Sequence, residues 1–168
     1  MLRLLRAQPG RLTMREFGDY LPFKFWSDGH HYDPKLYWRT GNLASKMLDV
    51  EIDWITGEVI GVVLLLPGRV SREFPELQIE PDCVSSGYPV VDISDWPLDR
   101  MKDAPGPMAI HVDASRMLIR LGEQVEVASL IGTGDVVFEL DAQCAIVGIL
   151  VLNLPKQKID AFAEMHAA

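Results

Sequence analysis

The sequence has few cysteines, no long apolar run and no secretory signal, and each shortage excludes a class of protein. Two cysteines among 168 residues are too few for a disulfide framework and are not spaced like metal ligands. The longest apolar runs, residues 59–66 and 145–152, each have eight residues, whereas a membrane-spanning helix needs about 20. Residues 1–15 are basic but lack the apolar stretch of a secretory signal. We therefore expect a cytoplasmic protein that makes no membrane contact.

The chain also has fewer basic than acidic residues. The chain has 16 Lys and Arg against 24 Asp and Glu, which gives a formal net charge of -8. A surface with this charge repels the phosphate backbone of nucleic acids. We therefore expect no nucleic-acid partner, and we expect a protein partner to be basic.

No motif in the chain identifies a chemistry. No serine lies in a G-x-S-x-G sequence, and Gly132-Thr-Gly134 precedes a predicted strand instead of the helix that a dinucleotide-binding loop requires. His30, His31, His111 and Asp113 are potential metal ligands, but adjacent residues of an extended chain point to opposite faces. We expect no cofactor and no catalytic residues, with a small metal-dependent enzyme as one alternative.

Two segments have the pattern of a β-hairpin. Apolar and acidic residues alternate in residues 48–54, Thr56-Gly57 supplies a turn, and residues 58–66 are mostly apolar and β-branched. Residues 136–154 repeat this order, with Glu-Leu-Asp in place of Glu-Ile-Asp. The repeat predicts two similar hairpins, over residues 47–66 and 136–154, that share one core.

The rest of the sequence, together with the two hairpins, predicts an α+β fold made mostly of antiparallel sheet. A C-terminal helix is predicted by the spacing of apolar residues in 156–166, directly after Pro155. Residues 1–168 are interpreted as one domain, with 1–14 as a candidate disordered tail and Met14 as an alternative start. Further strands are predicted over 88–93, 108–113, 117–121 and 125–130, and loops over 71–86 and 96–107.

Acidic side chains are concentrated in two predicted loops. An acidic loop with an aromatic anchor suits a basic protein partner, because opposite charges speed association and aromatic rings supply buried contacts. The alternative is a solvated surface that only promotes solubility. The candidate partner-binding residues are Glu73 and Glu76 in the first loop, and Asp92, Asp95, Trp96, Asp99 and Asp103 in the second.

Parts of the chain resemble bacterial proteins. Residues 48–62, LDVEIDWITGEVIGV, and 87–96, GYPVVDISDW, are similar to small immunity proteins that accompany secreted or contact-delivered toxins. Residues 117–121 and 139–150 are similar to a small β-rich bacterial domain. The resemblance implies a non-enzymatic protein that binds and neutralises a basic toxin such as a nuclease, and it implies no catalytic residues. A self-associating β-rich structural or interaction domain is a further alternative.

Overall fold

The computed structural model describes residues 1–9, 13–17, 22–27, 34–78, 85–123 and 125–167. These ranges contain fifteen strands and one helix. They are β1 (Leu4–Gln8), β2 (Thr13–Glu16), β3 (Phe23–Ser27), β4 (Lys35–Gly41), β5 (Met47–Asp53), β6 (Val59–Leu66), β7 (Val70–Ser71), β8 (Ser85–Ser86), β9 (Tyr88–Val91), β10 (Met101–Asp103), β11 (Met108–Val112), β12 (Met117–Leu121), β13 (Ser129–Thr133), β14 (Val136–Leu140), β15 (Ile146–Val151) and α1 (Lys156–Met165).

The strands form two large sheets and one small one. The first sheet has six strands in the order β10-β4-β5-β6-β3-β2, and the second has seven in the order β7-β11-β12-β15-β14-β13-β8. β1 and β9 pair with each other. Most pairs are antiparallel, whereas β10 with β4, β7 with β11 and β8 with β13 are parallel. The structure is therefore mostly β with one short C-terminal helix, in broad agreement with the predicted α+β class.

The main core lies between the two large sheets. Inward-facing residues alternate along the strands, as in β3, where Phe23 and Phe25 are fully buried. The rings of Phe25 in the first sheet and Phe138 in the second lie 6.0 Å apart, so these faces pack against each other. Ile159 and Phe162 of α1 belong to the same apolar cluster, which places the helix against the core.

A second, smaller core lies on the other face of the second sheet. Leu118, Val137 and Leu150 alternate with neighbours that face the main core, so they point to the opposite side. Phe74 and Leu77 pack over them. We call residues 72–78 the cover segment, because this stretch shields the outer face of the second sheet from solvent.

Hydrogen bonds from Gln78 attach the cover segment to the chain near β13. Its Nε2 donates to the carbonyl of Val125 at 3.0 Å, and its Oε1 accepts from the amide of Val127 at 2.6 Å. The strand predicted over 125–130 begins only at Ser129 and ends at Thr133. Val125 and Val127 before it bond to the Gln78 side chain instead of to a partner strand.

The first residues contribute to the fold where the sequence suggested a disordered tail over 1–14. Leu4–Gln8 pair with β9, and Leu2 is 4% exposed within the main core. The position proposed as an alternative start, Met14, lies inside β2. The predicted loops over 71–86 and 96–107 also contain short strands, namely the end of β7, then β8 and β10.

A glutamate lies opposite a glycine in two antiparallel strand pairs. Glu51 in β5 pairs with Gly61 in β6, and Glu139 in β14 pairs with Gly148 in β15. Both glutamates are less than 10% exposed. Lys35 Nζ reaches Glu51 Oε2 at 2.6 Å, and Arg120 Nη1 reaches Glu139 Oε2 at 2.6 Å. Each buried carboxylate is therefore matched by a cation, as burial of a charge requires.

Candidate functional site

Four of the predicted aspartates lie on one loop that leads to an edge of the first sheet. We call residues 92–103 the acidic loop, which runs from the end of β9 through β10. Asp92, Asp95, Asp99 and Asp103 are all exposed. The loop is shaped locally by a turn in which the Arg100 amide donates to the Pro97 carbonyl at 3.0 Å. The four carboxylates are therefore presented to solvent on a structured loop.

Asp92 is held at the start of the acidic loop. Its Oδ1 accepts hydrogen bonds from the Ser94 amide at 3.0 Å and the Ser94 hydroxyl at 2.7 Å. These bonds, with smaller contributions from Arg3 and Lys102, hold the pKa of Asp92 below its ordinary value. Asp92 is thus a carboxylate at neutral pH, suited to attract a cation and unsuited to act as a general acid.

Trp96 anchors the acidic loop to the protein itself. The ring is half-buried and packs against the main core. Its Nε1 donates to the Arg100 carbonyl at 3.2 Å, and the Lys102 ammonium lies 5.3 Å from the ring centroid. A small cavity of about 190 Å³ beside it is also lined by Arg3, Asp92 and Asp95. One edge of Trp96 therefore faces this cavity while the ring stabilises the loop.

The acidic loop is less negative than its aspartates alone suggest. It also contains Arg100 and Lys102, so its four carboxylates and two cations give a net charge of -2. Asp103 lies beside Arg39 in the parallel pairing of β10 with β4. Arg3 and Lys102 likewise act on Asp92. Asp95 and Asp99, at the tip of the loop, are therefore the aspartates that keep most of their negative potential.

Exposed apolar side chains lie both on the acidic loop and on the turn after β5. The Arg100 guanidinium lies 4.7 Å from the ring centroid of Trp54, which joins the loop to the turn after β5. Ile55 next to Trp54 is 77% exposed, and Leu98 is fully exposed. Met101 follows Arg100 at the edge of the sheet and is also exposed. We call Trp54, Ile55, Leu98 and Met101 the apolar patch.

The apolar patch is built on two tight turns. The Asp53 carboxylate accepts hydrogen bonds from the amides of Ile55 and Thr56 at 2.9 and 2.7 Å, which fixes the first turn. The second turn is the one closed by Pro97 and Arg100. The four residues of the patch are half of the eight large apolar side chains that are exposed among the described residues.

Sequence reasoning did not identify the apolar patch, although a signal was present. Ile55 and Leu98 occupy turn positions, where polar residues and glycine are usual. The contact between Arg100 and Trp54 joins these two turns, which are distant in the chain.

The other predicted acidic residues lie elsewhere. Glu73 and Glu76 are exposed on the cover segment, over the outer face of the second sheet. The structure therefore does not join them to the acidic loop through a shared element. Glu80 and Asp82, the next acidic residues along the chain, lie outside the described residues.

The residues considered for a metal site are only partly described. His30 and His31 lie outside the described residues. His111 Nδ1 is 2.9 Å from the Glu73 carbonyl, and Asp113 Oδ2 accepts from Arg116 Nε at 2.7 Å. The described part of the chain contains no group of three His, Cys, Asp or Glu residues that could hold a metal ion.

Comparison with known proteins identifies no family for this chain. Among the described residues, no helix combines the length and apolar character needed to cross a bilayer. No protein-family model matches the chain, and no curated protein has a significantly similar sequence.

Proposed function

We propose that this protein is a non-enzymatic binding protein that recognises a basic protein partner through the apolar patch and the tip of the acidic loop. The observation that carries this proposal is the contact between Arg100 and Trp54, which joins two turns. These turns carry the exposed apolar side chains of the patch, and the second also carries exposed Asp95 and Asp99. An apolar centre with a charged margin is the usual anatomy of a protein interface. The patch supplies the buried contacts, and the aspartates select the charge of the partner.

Arg100 and Trp54 are the expected centre of this interface. Tryptophan and arginine are enriched among residues whose loss weakens binding most. Here the guanidinium already lies over the indole ring, 4.7 Å from its centroid. The two side chains are thus held in a defined arrangement before binding, which lowers the entropy lost when a partner docks.

We further propose that the partner is a bacterial toxin and that binding neutralises it in the cytoplasm. The resemblance to immunity proteins supports this role, and the net charge of -8 suits a basic toxin such as a nuclease. In this proposal the aspartates of the loop tip bind the cationic groups of the toxin that otherwise bind nucleic-acid phosphates. The protein then inhibits by covering the toxin's substrate surface, with no catalytic step of its own.

The same proposal includes the relation between the two predicted hairpins. We infer that residues 47–66 and 136–154 are two versions of one design that frame the shared core. The support is that each places a buried glutamate opposite a glycine, Glu51 with Gly61 and Glu139 with Gly148.

Charge reversal at the loop tip tests the proposed role of the aspartates. Replacing Asp95 and Asp99 together with lysine should slow association with the captured partner by about tenfold or more at low salt, because electrostatic steering is lost. The difference should shrink as salt rises. Surface plasmon resonance at two salt concentrations measures both effects.

A matched control makes the same change in charge away from the site. Glu123 and Glu126 are exposed and lie outside both acidic clusters. The Glu123→Lys, Glu126→Lys variant should retain most of the wild-type association rate. Equal slowing by both double variants would show that only net charge matters, and an unchanged rate for the Asp95, Asp99 variant would remove the loop tip from the interface.

A further inference from the structure

An apolar groove separate from the acidic loop lies between α1 and the end of β6. Its volume is about 320 Å³, at the small end of the range for small-molecule sites. Phe17, Leu65 and Leu66 line one side, and Phe162 and Met165 of α1 line the other. The groove therefore offers mostly carbon surface to a ligand.

The walls of the groove are rigid at their base. The rings of Phe17 and Phe162 meet edge to face at 5.8 Å, and Phe17 also packs against Phe23 at 5.1 Å. Phe162 and Phe23 are buried in the main core. Because these rings are fixed by the core, the groove is preformed, which reduces the entropy lost on binding.

Among the described residues that line this groove, Lys158 is the one lysine or arginine. Lys158 lines it and donates one hydrogen bond to the Phe17 carbonyl at 3.2 Å, which leaves two of its three N–H groups for another acceptor. No carboxylate is present among the described residues that line the groove. Two residues earlier on the helix, Lys156 is instead paired with Asp160 at 2.5 Å. Lys158 is thus the lysine of α1 that can accept an anion.

His166 adds little charge at neutral pH. It lines the groove beside Phe162, with the two rings 5.1 Å apart. Burial lowers the pKa of His166 below its ordinary value, so the ring is mostly neutral near pH 7. The positive field of the groove therefore comes from Lys158.

We propose that this groove binds a small amphiphilic carboxylate, with its apolar body against Phe17, Leu66 and Phe162 and its carboxylate on Lys158. Apolar walls favour the hydrocarbon part, and the ammonium compensates the charge that would otherwise be costly to move out of water. The volume favours a short chain or a single ring over a long acyl chain. This site is independent of the proposed protein interface.

The test compares octanoate with octan-1-ol as probes of equal chain length. Calorimetric titration of the full-length protein should show saturable binding of octanoate, about tenfold tighter than that of the alcohol, because a charge-assisted hydrogen bond is added. Lys158→Met should remove this preference. Lys156→Met, on the same helix turn, should leave the preference unchanged.

A filling variant checks the location. Ala161 is exposed and lines the groove, so Ala161→Trp should block both probes without disturbing the core. Met165→Asp provides a second variant that places a repelling carboxylate at the same rim, and circular dichroism shows that each variant is folded. Absence of saturable octanoate binding to the wild type, or an octanoate preference that survives Lys158→Met, would overturn the proposal. Equal binding of both probes would point to an apolar segment of a protein as the occupant and would also overturn it.

Discussion

At the scale of single residues, the buried ion pair of the second sheet depends on the glycine beside it. A Cβ added at Gly148 would overlap the Oε2 atom of Glu139, which is 3% exposed and paired with Arg120. The carboxylate cannot move away without leaving its cation in a poorly solvated site. The absence of a side chain at position 148 is therefore what allows this charge pair to form.

Gly148→Ala should destabilise the protein by roughly 1–3 kcal/mol, because the added methyl group overpacks a filled site. Urea unfolding measures the change. Gly106→Ala is the matched control, since an added Cβ there meets nothing within 4 Å. In the Glu139→Ala background the penalty of Gly148→Ala should largely disappear. A penalty that is the same in both backgrounds would contradict this explanation.

Asp113 stabilises the turn between β11 and β12. Burial alone would raise the pKa of its carboxyl, but hydrogen bonds from the Arg116 guanidinium and from the amides of Ser115 and Arg116 outweigh that effect. The pKa of Asp113 therefore lies below its ordinary value. A carboxyl with a depressed folded-state pKa stabilises the fold above its unfolded pKa and loses that contribution as the pH falls.

Asp113→Asn should lower the free energy of unfolding by about 1 kcal/mol at neutral pH, because charge-assisted hydrogen bonds are lost. The difference from the wild type should persist down to the ordinary Asp pKa of about 3.9 and vanish as the pH falls through the lower folded-state value. Urea unfolding at a series of pH values gives the profile. A difference that stays constant into strong acid would show that ionisation of Asp113 is irrelevant.

Trp54 is the residue on which the proposed interface depends most. Trp54→Ala should weaken partner binding by about 2 kcal/mol or more, close to thirtyfold in Kd, because a central aromatic contact is removed. Leu5→Ala serves as the control, since Leu5 is 62% exposed and lies outside the patch. Calorimetry with the captured partner measures both. A Trp54→Ala affinity equal to that of Leu5→Ala would exclude the patch as the binding centre.

At the scale of elements, the cover segment illustrates how one side chain joins two distant stretches. Gln78→Ala should cost about 1–2 kcal/mol of stability, because two hydrogen bonds are lost and the Val127 amide loses its acceptor. Hydrogen exchange at Val127 should accelerate as well. Glu76→Ala, on the same segment, should change neither. Unaltered exchange at Val127 in the Gln78 variant would show that this side chain does not secure the cover.

Elements with strong local periodicity could be predicted from the sequence. The helix after Pro155 was predicted over 156–166 and forms over Lys156–Met165, because its apolar residues recur at helical spacing. The strand predicted over 117–121 was found with the same bounds, and the strand predicted over 108–113 ends one residue earlier, at Val112. These elements bury one face against the main core, so local pattern and tertiary packing favour the same structure.

Elements set by distant partners could not be predicted. β10 has three residues within a proline-rich stretch and forms because it pairs with β4. β1 depends on β9 for its hydrogen bonds, and the sequence around it mixes leucines with arginines without the alternation of a half-buried strand. Such short strands carry little signal of their own, because a partner strand supplies the hydrogen bonds that define them.

Some features of the candidate site could be predicted from the sequence, and others could not. The aspartates of the acidic loop were visible as a cluster in the sequence, and their exposure followed from their charge. The neutralising position of Lys102 and the contact between Arg100 and Trp54 were not visible, because both depend on how the loop folds against the first sheet. Composition thus indicated an acidic surface but missed its apolar centre.

At the scale of the whole molecule, the shielded face and the apolar patch belong to different sheets. The second sheet is shielded by the cover segment, which contributes Phe74 and Leu77 to a second core. The apolar patch lies at the end of the first sheet, where β5 and β10 meet their turns. The large apolar side chains grouped on the surface therefore lie away from the shielded face. The proposed function assigns the partner to the side that carries the apolar patch.

The most direct test of the account is capture of a partner by the tagged protein from cells of its own organism, at low and at high salt. The wild type should retain a basic protein that is released as salt rises. A variant with Ile55→Asp and Leu98→Asp should fail to retain it, whereas Leu5→Asp should retain it normally. Recovery of the same protein by the patch variant, or recovery of nothing but further copies of this chain, would contradict the account.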